Sequence, residues 1–315
     1  MSLLEAIAEL HVIPYTDVLA WVVMAAFIAG VAADYRDNLL AARRLTAGAW
    51  WLFAVFWFVL IQHFAFVHRS VVQTVLILIA VPACLYVGWL VFAGRDSLLT
   101  LSRAVAFMTV IYLPFETSEL ARGLLIEAVA FQTATVIDAL SLADGMEYMQ
   151  DPDEGSTLMN TFWFPETGRA SRVVFECTGI GAMSIFGGLI AAVNAPLRRK
   201  AVGIALSISI IWVLNIGRNV FIALANGYQW FAYSWLEGPI MALFGLTDPA
   251  RVSFFVADRV LAQLLAVVAL AGLAWFIARW VPELLDIAEE LLSIVGIDVE
   301  LHHPSVDRTD TDPAD

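Results

Sequence analysis

The sequence predicts an all-α fold: a polytopic transmembrane helix bundle of about seven spans, with its N-terminus outside and its C-terminus cytoplasmic. Three observations predict it. The 315 residues are 61% hydrophobic and only 15% charged, with mean hydropathy +0.80, whereas soluble domains sit nearer ~45–50% apolar and ~25% charged. The apolar residues fall into runs close to the ~20 residues that a helix needs to cross a bilayer. Cations recur in alternate connecting loops, as they do on the inner side of a membrane.

Residues 1–14 read as an interfacial lead-in that stops at Pro14, and no cleaved signal is predicted. Residues 18–33 form a short first span. A charged turn follows, from Asp34 to Arg43 and Arg44, and then a second span over 46–66, dense in Trp and Phe. His63, His68 and Arg69 lie at its far end. The third span covers 71–93, with Pro82 as an expected kink. The fourth starts at Ala104 and meets Pro114 and Glu116. Residues 117–142 are helical in pattern but carry Glu119, Arg122, Glu127 and Asp138, which suits an amphipathic or bundle-lining helix that does not fully cross.

The 144–172 stretch is the polar segment between spans, read as a loop with Phe162-Trp163-Phe164 at headgroup level. Three clean spans follow, over 173–195, 201–225 and 253–278, with Arg198-Arg199-Lys200 between the first two. Residues 1–280 are thus the membrane bundle, with outer loops 144–172 and 226–250. Residues 281–315 are a cytoplasmic acidic amphipathic helix and a disordered tail. The cations Arg36, Arg43, Arg44, Arg95, Arg103, Arg198, Arg199, Lys200 and Arg279 then all lie inside.

Net charge is −13, and Lys200 is the single lysine beside many arginines. An acidic surface of this kind suits a salt-rich cytoplasm, where the Debye length falls to ~3 Å at 1 M and carboxylates stop repelling one another. There is no basic stripe for nucleic acid. The two cysteines, Cys84 and Cys177, form no disulfide framework, and neither has metal-ligand spacing, so no metal or cofactor is expected. Cys84 reads as a packing residue.

Cys177 differs through its company. It lies five residues beyond Arg172, roughly 7–8 Å below the outer end of its span at ~1.5 Å per residue. The next span returns outward with Asn215, Arg218 and Asn219, and Arg218 falls about 12 Å below its outer end. The last span enters near Pro249, and Arg259 falls about 12 Å below Arg251 by the same rise. One thiol and two guanidiniums therefore share a depth. Arginine within a membrane costs on the order of 2.5–3.5 kcal/mol at a helix centre, so such residues usually face the interior and mark a site. Arg251, at the rim, can simply snorkel.

Guanidinium groups do not deprotonate. Arg218 and Arg259 can therefore hold Cys177 as thiolate, or donate to the oxyanion of a tetrahedral intermediate. Asn215 and Asn219 share a face and can orient Arg218 or a carbonyl. Gly179 and Gly181 let another backbone approach the cysteine. Asp258 can pair with Arg259. His63 and His68 are candidate proton donors, although interfacial surface placement is the commoner role of histidine.

At Glu176-Cys177-Thr178-Gly179, Asn215-Ile216-Gly217-Arg218-Asn219 and Ala257-Asp258-Arg259 the chain resembles the exosortase/archaeosortase family of membrane cysteine transpeptidase-like enzymes. The resemblance is specific over about 172–265 and looser in the span layout. Arginine in the third place resembles the archaeal members. It implies Cys177 as nucleophile with Arg218 and Arg259 as stabilisers. It also implies clients: secreted or surface proteins, typically S-layer glycoprotein, with a C-terminal Pro-Gly-Phe motif, a transmembrane helix and a basic tail. The cleaved end would then be joined to a membrane lipid. Two other readings stay open on the residues alone. One is a transporter or channel whose buried arginines bind an anion. The other is a scaffold held by Arg–carboxylate pairs.

Overall fold

Uninterrupted apolar runs become helices because a segment in lipid must satisfy its own backbone hydrogen bonds. The computed structural model describes residues 13–62, 71–152, 156–294 and 296–297. Among these it shows α1 (Ile13–Asp34), α2 (Leu39–Gln62), α3 (Val71–Phe92), α4 (Leu98–Thr117) and α5 (Glu119–Ala139). A three-stranded sheet follows: β1 (Glu147–Gln150), β2 (Met159–Phe164) and β3 (Arg169–Arg172). Then come α6 (Ile180–Ala192), α7 (Leu197–Gly227), α8 (Ser234–Phe244), α9 (Pro249–Ala278) and α10 (Leu284–Ile294). Seven helices are long and apolar enough to cross a membrane: α1–α5, α7 and α9. The calls on His63, His68, the first twelve residues and the tail from 298 lie outside the described residues.

The number seven is as expected, but the membership differs: Glu119–Ala139 is among the seven, and the fifth expected span, 173–195, gives only the shorter helix Ile180–Ala192. Its helix begins only at Ile180, because Gly179 sits in the left-handed region at φ +78° and ends a separate 3-10 turn, Phe175–Thr178. Helix α5, over the 117–142 stretch that was expected not to cross fully, is itself long and apolar enough to span. It starts beside the end of α4, with Ser118 as its N-cap. It leads into a sheet that packs on α5 through Glu127, whose Oε1 accepts from Met159 N at 3.0 Å. That sheet also meets the end of α7, where Asn226 Nδ2 donates to Ala170 O at 3.0 Å.

The sheet itself is a correction to the loop reading of 144–172. Its strands pair antiparallel in the order β1-β2-β3. Its central strand is buried on both faces: Asn160, Thr161, Phe162 and Phe164 are buried on β2, and Phe162 and Phe164 join the core of α5, α6 and α7. The 226–250 loop likewise holds α8, which turns Ile240 towards Val252 and Val256. Arg198, Arg199 and Lys200 belong to the first turn of α7, and Pro82 lies within an uninterrupted α3.

The opposite end gathers the arginines. Arg43 pairs with Asp96 at 2.6 Å, Arg95 with Glu290 at 2.6 Å, Arg103 with Asp34 at 3.6 Å and Arg199 with Glu283 at 2.5 Å. These ties fasten the amphipathic α10 beneath the bundle, with Ile287 turned inward.

Beside the small Ile240–Val252–Val256 cluster, the described residues form two larger apolar cores. One joins α1–α3 to the start of α4, with Phe27 edge-on to Trp50 at 5.3 Å; Trp50 Nε1 donates to Ser102 Oγ at 2.8 Å. Cys84, 5% exposed, packs there. The other core joins α5, the sheet, α6, α7 and α9. Helices α4 and α6 touch backbone to backbone: a Cβ on Gly188 would stand 2.6 Å from Ala104 O. Small residues permit such contact between membrane helices.

Candidate active site

The cysteine is placed by a short piece of chain that leaves the sheet and enters a helix. Val173 N donates to Asn160 O at 2.9 Å, and Asn160 Nδ2 returns a bond to Val173 O at 3.1 Å. The 3-10 turn closes next, with Cys177 N donating to Val174 O at 2.9 Å and Thr178 Oγ1 to Phe175 O at 2.7 Å. Gly179 then reverses the path into α6. A side chain at 179 would be strained by the positive φ and would press on Asn215, whose Cγ lies 3.0 Å from the Cβ position.

Helix α7 presents three polar residues to this turn. Asn215 and Asn219, one turn apart, both donate through Nδ2 to the carbonyl of Cys177, at 2.7 and 2.9 Å. The pair expected to orient Arg218 or a carbonyl therefore holds the main chain of the cysteine itself. Arg218, between them in sequence, donates through Nη2 to Asp258 Oδ1 at 2.5 Å. Its guanidinium, the Asp258 carboxylate and Cys177 border the same cavity.

Helix α9 supplies Asp258 and Arg259 from a π-helical stretch, Val256–Ala262. Such widened turns inside α-helices recur at functional sites. Arg259 Nε lies 3.2 Å from Asp258 Oδ2, so one carboxylate joins both arginines. Asp258 is 7% exposed.

Cys177, Gly181, Arg218, Asn219, Asp258 and Arg259 line one cleft of about 1940 Å³. The structure thus brings the expected thiol and both expected guanidiniums to a single cavity. Gly181 borders it, with no atom within 4 Å of where a Cβ would be. Arg251 is exposed at the rim and stacks over the Phe255 ring at 5.4 Å. Across the cleft stand residues that sequence reasoning did not place in the site. Arg122 pairs with Glu116 at 3.0 Å and lies 5.1 Å from the Phe175 ring. Tyr112 donates to Glu116 Oε2 at 3.0 Å and packs on Phe175. Glu116 and Arg122 were visible as charges in apolar helices. Asp258 was visible as a neighbour of Arg259, but its reach to Arg218 depends on how α7 and α9 pack.

Comparison with known proteins fits this geometry. Residues 16–247 match the family described as transmembrane exosortase. The chain is 46% identical over 292 residues to archaeosortase A of Haloferax volcanii, covering 89% of this chain and 94% of that protein. No solved structure matches it. With most of its length matched and the cysteine–arginine cleft in place between its helices, the chain belongs to the transmembrane exosortase family.

Proposed function

We propose that this protein is a membrane sorting enzyme that cuts a C-terminal signal from secreted proteins through Cys177. One observation carries the reading: the Cys177 main chain is held by Asn215 and Asn219 while Arg218, on the same helix, borders the cavity that Cys177 lines. A guanidinium in that place favours the thiolate, which is the nucleophilic form of cysteine. Sγ attacks the scissile carbonyl carbon. Arg218 and Arg259 donate to the oxyanion that develops, in a setting where fixed donors are worth most. The C–N bond breaks, the amine leaves with the proton that the thiol gave up, and a thioester remains on Cys177. An acceptor attacks that thioester, an S–C bond breaks, and the thiol is restored.

The substrate follows from the resemblance and from the place of the site. A Pro-Gly-Phe type motif would enter the cleft, carried by an apolar helix whose basic end stays at the arginine-rich side, and a membrane lipid would be the acceptor. S-layer glycoprotein is the expected client, and archaeosortase A is what the relative is called. The positive-inside rule puts the arginine-rich end in the cytoplasm and Cys177 on the outer side. The anion-transporter reading is weakened because both half-buried arginines already share the Asp258 carboxylate.

Two measurements test this. Cys177→Ala in cells should leave the protein in the membrane and stop processing of C-terminal-signal proteins; continued processing defeats the mechanism. Purified enzyme with substrate should yield a hydroxylamine-sensitive adduct on the Cys177 peptide.

A further inference from the structure

Two arginines at one depth in a membrane bundle repel each other, and each must be aimed if its planar fork is to serve a transition state. Long side chains do not hold such a geometry without support, and a site a single ångström too loose loses much of its rate. The support here is a single carboxylate. Asp258 Oδ1 accepts from Nη2 of Arg218 at 2.5 Å from the neighbouring helix, and Oδ2 forms an ion pair with Nε of Arg259 at 3.2 Å on its own. Both guanidiniums are thus paired with Asp258 and also border the cleft. The π-helical stretch contains both Asp258 and Arg259.

The charges also balance. With a neutral thiol the group carries two positive charges and one negative; with a thiolate it carries two of each sign. A buried set of charges is tolerable when paired and costly when one partner is removed. Asp258 is 7% exposed, so it cannot rely on water in place of its partners.

We propose that Asp258 is a positioning residue of the reaction, a shared anchor that aims Arg218 and Arg259 at the oxyanion formed beside Cys177. This rests on the cysteine mechanism above. Asp258 itself touches neither substrate nor reacting atoms.

The test uses full-length enzyme in detergent or vesicles with a substrate bearing its own C-terminal signal, and compares wild type, Cys177→Ala, Asp258→Asn and Asp258→Glu. Asp258→Asn should lower kcat by ~10²–10³-fold, the loss seen when one oxyanion donor is misplaced, while KM stays within about threefold. Alkylation of the Cys177 peptide by iodoacetamide, followed by mass spectrometry, should be no slower than in wild type, because the thiol remains and one negative charge beside it has gone. Asp258→Glu should recover part of kcat. The inference is overturned if Asp258→Asn processes substrate within about threefold of wild type, on the same scale of mutant kinetics. It is also overturned if turnover, alkylation and membrane abundance fall together and Asp258→Glu restores none of them, which would make the residue structural. Normal processing by Cys177→Ala would instead sink the cysteine mechanism, whatever Asp258 does.

Discussion

Cys177 is held by its carbonyl rather than by its sulfur. Asn215 and Asn219 donate to the same oxygen at 2.7 and 2.9 Å, so removing one amide leaves the other in place. Asn215→Ala and Asn219→Ala should each cost about 0.5–1.5 kcal/mol of stability, the net worth of one hydrogen bond. The double variant should cost more than the sum if the turn then moves, a coupling that a double-mutant cycle on thermal unfolding measures. Arg218→Lys is a sharper test. A point charge keeps attraction for the thiolate but not a planar fork aimed by Asp258, so processing should fall by ~10²-fold or more, with protein levels unchanged. That Arg218 and Arg259 would meet near Cys177 was legible in the sequence, because helical rise places the two arginines; Cys177 reaches the same cleft from a strand and a 3-10 turn, which helical rise does not describe. The target of the two asparagines was not legible. Helical spacing says that they share a face, but not which oxygen a neighbouring turn will offer.

At the scale of elements, the informative departures are breaks in helices. Gly179 divides the apolar 173–195 run into a 3-10 turn and a short helix, and that division places Cys177 at a bend instead of on a cylinder wall. A glycine inside an apolar run is an ambiguous signal, since membrane helices tolerate glycine freely. Gly179→Ala should destabilise by about 1–2 kcal/mol from the left-handed backbone alone and should displace Asn215; slower alkylation of Cys177 would report that displacement. Gly188 marks a different contact. Gly188→Val would drive α6 from α4, where Ala104 O leaves no room, and should lower the thermal midpoint and the yield of folded protein more than Gly179→Ala does. The sheet escaped the sequence reading because its strands are short and none alternates cleanly between buried and exposed residues, while the acidic Asp151 to Glu154 stretch dominated the composition.

Across the whole molecule, the arginine-rich end is tied by ion pairs that bridge helices far apart in sequence. Positive-inside reasoning gathered these arginines from the sequence, but their acidic partners came from packing. The Arg43 guanidinium, hydrogen-bonded to Asp96, holds that carboxyl below its ordinary value of 3.8. A lowered folded value means that the stabilisation is complete above the ordinary value and is lost as pH falls through the folded one. Wild type and Asp96→Asn should therefore differ in thermal midpoint at neutral pH and converge in strong acid below about pH 4. Both groups are partly exposed, at 33% and 42%, so the difference should be small and should shrink in molar salt. With net charge −13, the chain as a whole should gain stability as salt rises, while this one pair loses some.

The grip on the main chain of residue 177 has a practical consequence. Because both amides hold a backbone atom, replacing the sulfur by hydrogen or oxygen leaves the bend and its guanidinium neighbours where they were. An inert Cys177→Ala or Cys177→Ser enzyme should therefore still capture its client and hold it uncut. Such a stalled pair, isolated by pull-down and imaged by cryo-microscopy, would show the scissile bond lying across the vacated position.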